Sequence, residues 1–113
     1  MIITKTTPYT NEEIAQLAQE FDVYIKTVID LETKTCSAGC NRHFDSEQLL
    51  LKQGSKQSQI WGGGIDLETL DIDFNSMINI RPIDGNASNE IQNEQQREEY
   101  KSLTKFFFSK LYE

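Results

Sequence analysis

Apolar and polar residues alternate along the chain with periods that predict short helices and strands. A first helix is predicted after Thr10, because Glu13 follows at capping-box spacing and apolar residues recur at helical spacing up to Phe21. From Val23 to Leu31 the period changes to two, which is typical of a half-buried strand. The chain is therefore expected to form a helix followed by a strand.

The middle of the chain continues with short elements. Residues 32–35 resemble a hairpin loop, and Cys36 and Cys40 are then expected on a second strand as small buried residues. Asp45 is predicted to cap a second helix that ends at Gly54. Two more strands are predicted over residues 59–65 and 71–81, joined by residues 66–70.

A long helix is predicted over residues 88–111, with its apolar positions in the second half. The element order α-β-β-α-β-β-α predicts an α+β fold. We expect an antiparallel sheet of two β-hairpins, about four strands in all, with helices packed on one face and a polar opposite face. No repeat or linker divides residues 1–113, so a single α+β domain is predicted.

Charge and composition narrow the function classes. The 113 residues carry a formal net charge of −7, which argues against a nonspecific nucleic-acid binder. No apolar run reaches the about 18 residues that a membrane span needs. The first residues lack the apolar core of a signal peptide, so a cytoplasmic location is expected.

Several spaced residues resemble a known pattern. They are His43-Phe44-Asp45-Ser46-Glu47, Leu49-Leu50, Gly54-Ser55, Gln57, Trp61-Gly62, Ile78-Asn79-Ile80-Arg81-Pro82 and Asn86. This pattern resembles an uncharacterised prokaryotic family catalogued as a domain of unknown function, over nearly the whole chain. The resemblance implies a small α+β fold and supplies no catalytic residue or ligand. Glycine is usual in that family around positions 39 and 40, and Cys40 departs from it.

His43, Asp45 and Glu47 offer candidate chemistry next to Cys40. His43 is the only histidine and could transfer a proton near neutral pH, with Glu47 orienting its ring. Cys40, His43 and Asp45 are also donor types that a transition metal accepts, although the spacing is weak evidence for a metal site. The structural alternatives are a capping Asp45, a Glu47 that stabilises the helix start and a hydrogen-bonded His43.

The segment Trp61-Gly62-Gly63-Gly64 is unusual, because three glycines weaken a strand. Such a run marks a bulge, a bend or a close approach to the backbone by a ligand or another chain. A phosphate cradle is a weaker alternative, since the Gly-Lys-Ser/Thr sequence of a P-loop is missing. No cofactor is predicted.

Four polar residues are expected on one face of the sheet: Lys26, Asp30, Asn79 and Arg81. If their strands are neighbours, they form either a solvated charge network or a small polar pocket that binds a carboxylate. With Trp61 and Gly62 they are the candidate ligand-binding residues.

Phe106 and Phe108 point to different sides of the last helix, so one of them is expected to pack against a second subunit. The first functional hypothesis is a small binding or regulatory module, a homodimer that takes a small-molecule or protein ligand in a polar pocket on or beside the sheet. The second is a small hydrolase-like or metal-assisted enzyme that uses His43 and Glu47. A member of a toxin–antitoxin pair fits the size alone.

Overall fold

The first helix, α1 (Asn11–Glu20), begins where the capping box predicts. The Glu13 amide donates to Oγ1 of Thr10 at 3.1 Å, and the Thr10 amide donates to the Glu13 carboxylate at 2.9 Å. The computed structural model describes all 113 residues, from Met1 to Glu113. The other helices and the strands are β1 (Ile3–Lys5), β2 (Tyr24–Asp30), β3 (Thr35–Ala38), α2 (His43–Lys52), β4 (Ile60–Asp66), β5 (Ile72–Asp73) and α3 (Glu94–Phe107).

The five strands form one antiparallel sheet in the order β1-β3-β2-β4-β5. The α+β class and the antiparallel sheet are therefore confirmed. The strand β1 adds to the about four strands that were expected, because a three-residue segment is too short to show a period of two.

The main core lies between one face of the sheet and the helices α1 and α3. Residues of β2 alternate as the sequence predicts, and Ile25 and Ile29 enter this core. Its other fully buried large side chains come from the helices, β4 and the loops: Tyr9, Leu17, Trp61, Ile65, Ile91, Tyr100, Phe107 and Phe108.

Helix α2 lies on the opposite face of the sheet. Val28, Leu50 and Ile60 form a second apolar cluster there, and the Ser37 hydroxyl donates to Ser46 of α2 at 2.7 Å. The expectation that all helices share one face is therefore wrong for α2. The face expected to be polar is covered because Val28 and Ile60 offer α2 an apolar surface.

Helix α2 also begins earlier than predicted. Arg42 is the N-cap residue and makes no side-chain cap hydrogen bond. The prediction that Asp45 caps the helix is wrong, because Asp45 lies within the first turn and pairs with Arg42 at 2.9 Å. In the first turn, the Asp45 carboxylate still interacts favourably with the positive end of the helix dipole.

The predicted strand over residues 71–81 is wrong beyond Asp73. The chain instead forms 3-10 turns at Met77–Asn79 and Pro82–Asp84. Side chains bind the local backbone here: Asp73 accepts from the Asn75 amide at 3.1 Å, and Ser76 accepts from the Ile78 amide at 3.3 Å. Such local hydrogen bonds compete with a strand ladder.

The last helix is shorter than the predicted 88–111, because Asn93 caps its start and accepts from the Gln96 amide at 2.9 Å. Phe108 follows this helix and stacks on Tyr9 of the same chain, with ring centroids 4.6 Å apart. Phe106 is 48% exposed. Cys36 and Cys40 are buried and free, as predicted, but β3 ends at Ala38, so the placement of Cys40 on this strand is wrong.

None of the α-helices combines the length and the apolar composition that a bilayer crossing requires.

Candidate functional site

The three glycines of β4 lie in regular strand pairing. All seven residues of β4 pair with β2, so the predicted bulge or bend is wrong. The alternative, a close approach to the backbone, describes the site, although the approaching groups belong to the same chain. A Cβ at Gly62 would lie 2.7 Å from the Cβ of Ser76 and 3.1 Å from Cδ2 of His43. These side chains therefore need glycine beneath them.

His43 is fixed on this glycine surface by one ring nitrogen. Its Nε2 lies 2.7 Å from the carbonyl oxygen of Gly63, which can only accept, so Nε2 carries the proton. Burial lowers the pKa of His43, and Lys26 adds to this, while the Gly63 carbonyl and Asp73 oppose it. The neutral imidazole is favoured, and its Nδ1 makes no hydrogen bond within the protein.

A cleft of about 330 Å³ opens beside His43. It is lined by Lys26, Asn41, Arg42, His43, Phe44, Ser76, Met77 and Ile78. Phe44, Met77 and Ile78 give it apolar walls, and Lys26 and Arg42 bring positive charge to a chain that is otherwise acidic. We refer to this space as the His43 cleft.

A more open groove of about 580 Å³ lies between α3 and the turn after β2. Leu31, Lys34, Glu98 and Leu103 are among its lining residues. It contains none of the predicted site residues, and its side chains form no set that suggests chemistry. The His43 cleft is therefore the candidate site.

Glu47 lies one helical turn after His43 but does not orient its ring. The Glu47 side chain is buried, and its carboxylate lies 3.5 Å from the side-chain amide of Gln57. The ring nitrogen that is bound, Nε2 of His43, meets the Gly63 carbonyl instead. The structure does not join the two residues of the predicted catalytic pair.

Cys40, His43 and Asp45 are likewise engaged separately. Cys40 is buried, and burial raises the pKa of its thiol. Asp45 pairs with Arg42, and His43 binds Gly63. No group of three His, Cys, Asp or Glu side chains is placed to hold a metal ion.

Trp61 and Arg81 form a stacked pair away from the cleft. Trp61 belongs to the main core, and the Arg81 guanidinium lies 4.1 Å from its ring centroid. Nη1 of Arg81 donates to the Gln57 carbonyl, and Nε lies 3.5 Å from Asp84, whereas Nη2 has no partner. Burial lowers the pKa of Arg81, whereas the negative charges of Asp84 and Glu47 raise it.

Asp30 and Asn79 are both buried in structural positions. Oδ1 of Asp30 accepts from the amides of Glu32 and Thr33 at 2.9 and 3.0 Å, which holds the turn after β2. Although burial opposes ionisation, the nearby Ser55 hydroxyl and the hydrogen bonds from Thr33 and Glu32 lower the pKa of Asp30. Asn79 binds the backbone of β4 at Gly62.

Of the predicted ligand-binding residues, Lys26 lines the cleft and Gly62 lies beneath the His43 ring. The other four do not line the cleft: Asp30, Trp61, Asn79 and Arg81. Sequence reasoning missed the other six cleft residues, which are Asn41, Arg42, Phe44, Ser76, Met77 and Ile78. The one signal available for Phe44 and Met77 is an apolar residue next to polar neighbours, which is common on protein surfaces.

The model of the family described as "Protein of unknown function (DUF5674)" matches residues 1–107. The chain belongs to this family. The match includes every residue of the His43 cleft and confirms the resemblance to a domain of unknown function. No curated protein and no solved structure matches the chain.

Proposed function

We propose that this domain is a small binding module and that the His43 cleft holds its ligand. The observation that carries the proposal is the histidine fixed on Gly63, with its second nitrogen unused beside an apolar cleft. A ring held by one nitrogen presents the other in a defined direction, which is the preorganisation that ligand recognition requires.

The lining of the cleft indicates the chemistry of the ligand. Phe44, Met77 and Ile78 suit an apolar group, and Lys26 suits a carboxylate or another anion. The neutral His43 ring offers an acceptor to a hydroxyl or amide of the ligand. An apolar group that carries a carboxylate therefore fits the cleft better than a purely polar molecule.

The enzyme alternative has less support. The free Nδ1 of His43 suits a general base, but the Glu47 carboxylate that was expected to orient the ring faces Gln57. Of the three candidate metal ligands, Asp45 pairs with Arg42, His43 binds Gly63 and Cys40 is buried. Binding without a reaction is therefore the function that we propose.

A titration with 3-phenylpropionate, followed by amide chemical shifts of the ¹⁵N-labelled protein, tests the proposal. Saturable shifts are expected at Phe44, Gly62 and Gly63, and the neutral analogue 3-phenylpropanamide should bind more weakly because it lacks the charge. Lys26→Met should weaken binding of the carboxylate. Lys52→Met, the matched control on the exposed end of α2, should leave it unchanged. No saturable shift up to about 10 mM would refute the site, since that limit corresponds to negligible affinity.

We also propose that the module is a homodimer. Phe108 packs within its own chain, so Phe106 is the aromatic residue left to meet a second subunit. An exposed phenylalanine on a helix suits an interface.

A further inference from the structure

Exposed apolar residues line the His43 cleft and continue along the segment that follows Met77. Phe44 and Met77 line it and are 50% and 76% exposed. Ile80 and Ile83 follow in the same surface segment, and Ile83 is 95% exposed. We refer to Phe44, Met77, Ile80 and Ile83 as the apolar patch. These are four of the seven large hydrophobic residues that the chain exposes.

The segment that carries three of these residues is held in a fixed shape. Nδ2 of Asn86, with two N–H donors, lies 2.8–2.9 Å from the carbonyl oxygens of Asn79, Ser88 and Glu90. Arg81 and Asn86 also pair as an isolated bridge. A patch on a rigid segment loses little conformational entropy on binding, so it is suited to recognition.

The extent of the patch distinguishes between two kinds of ligand. A small molecule in the cleft covers Phe44 and Met77 at most and leaves Ile83 in water. A protein segment is long enough to fill the cleft and to cover Ile80 and Ile83 as well. Exposed large apolar side chains that recur along one surface segment, as Met77, Ile80 and Ile83 do, mark protein interaction sites.

Charge indicates which segment fits. Lys26 lines the cleft and makes no salt bridge, whereas Arg42, which also lines it, pairs with Asp45. The chain as a whole carries a net charge of −7, so Lys26 is the unpaired cation of the cleft at which an acidic group can bind. The complementary partner carries an acidic residue next to an apolar one.

We propose that the apolar patch docks an extended segment of a partner protein, with an apolar side chain in the His43 cleft and a neighbouring acidic side chain at Lys26. This inference rests on the proposed function, because it assigns the occupant of the same cleft. The acidic group supplies the carboxylate that Lys26 binds, and further apolar residues of the segment cover Ile80 and Ile83.

Selection from a displayed library of random dodecapeptides on the full-length protein tests the inference. The selected peptides should place an acidic residue beside an apolar one. Their affinity, measured by fluorescence polarisation, should fall about tenfold for Ile83→Ser and for Phe44→Ser, since each removes an apolar contact worth about 1.4 kcal/mol. Val23→Ser is the matched control, because Val23 is 46% exposed and lies outside the patch. It should change the affinity by less than about twofold.

Ile83→Ser keeps the test decisive even if Phe44→Ser weakens the fold, because the Ile83 side chain is almost fully exposed. Peptides that bind equally well to Ile83→Ser and to the parent protein overturn the inference. So does a concentration-dependent dimer that Ile83→Ser abolishes, because a second copy then covers the patch. If 3-phenylpropionate binds the cleft but no peptide is selected, the inference fails and the proposed function stands. If neither binds, both fail.

Discussion

The side-chain amide of Asn79 forms two hydrogen bonds with the backbone of Gly62. Its Oδ1 accepts from the Gly62 amide and its Nδ2 donates to the Gly62 carbonyl, each at 2.9 Å. The strand β5 pairs only with Gly64 and Ile65, so Asn79 takes over at Gly62 the pairing that a longer strand would supply. Two residues predicted to bind a ligand thus bind each other.

Asn79→Ala is expected to lower the free energy of unfolding by about 3 kcal/mol, because it leaves buried backbone groups of Gly62 without partners. Urea denaturation measures the change. Asn75→Ala is the control on the same segment, since Asn75 is exposed and its side chain makes no hydrogen bond. Equal stability of the two variants would contradict the role given to Asn79.

Gly63→Ala should destabilise the fold more than substitution of an open glycine. A Cβ at Gly63 would collide with the Asp73 carbonyl and lie 2.9 Å from Oη of Tyr100, so β5 or α3 must move. We expect a loss of at least about 2 kcal/mol, as for other overpacked sites. Thermal unfolding checks this.

The comparison is Gly85→Ala. Gly85 has nothing within 4 Å of a Cβ, but its φ of +80° is left-handed, so about 1 kcal/mol of strain is expected. A Gly63→Ala protein as stable as Gly85→Ala would show that the glycine run is not required by packing.

The ionisation of His43 should appear in the stability of the protein. Burial lowers its pKa in the folded state, so the unfolded chain, with a pKa of about 6.5, takes up the proton first as the pH falls. The contribution of His43 is therefore fully present above about pH 6.5 and is lost as the pH falls through the folded-state pKa. An NMR titration of the ring should give a midpoint below 6.5.

Carboxylates also titrate as the pH falls, so the variant His43→Gln provides the reference. Its stability should decrease less than that of the parent between about pH 7 and pH 5. An identical decrease in both proteins would mean that the His43 ring is not in the buried, neutral state described above.

Arg81→Met is expected to leave the fold within about 1 kcal/mol of the parent. The substitution removes the hydrogen bond from Nη1 to Gln57 and the ion pair with Asp84, but it also removes a buried charge whose Nε and Nη2 lack hydrogen bonds, and methionine keeps an apolar contact on Trp61. Because Arg81 lies outside the cleft, the Arg81→Met protein should bind 3-phenylpropionate as tightly as the parent protein does. Weaker binding by the variant, with the fold intact, would return Arg81 to the ligand site that the sequence suggested.

Phe106→Ser should convert the proposed homodimer into a monomer, because Phe106 is the exposed aromatic of α3. Light scattering at tens of micromolar protein measures the mass of both forms. A monomeric parent protein would contradict the homodimer. A dimer that survives the substitution would place the interface elsewhere.

Features that depend on a few neighbouring residues follow directly from the sequence. The capping box of Thr10 and Glu13 and the period of two in β2 are local, so the helix α1 and the strand β2 are where they were predicted. The α+β class follows from the same short elements.

Tertiary structure decided which groups meet. Asn79 alternates in sequence as a surface strand residue does, yet it is buried, because the edge of β4 needs hydrogen bonds that a residue 17 positions away supplies. The glycines of β4 lie against side chains from four other parts of the chain, which no period in the sequence reveals. The sequence by itself determined the local elements and the acidic charge. The His43 cleft arises only where the start of α2, Lys26 of β2 and the 3-10 turn at Met77 pack together, because it depends on contacts between residues far apart in the chain.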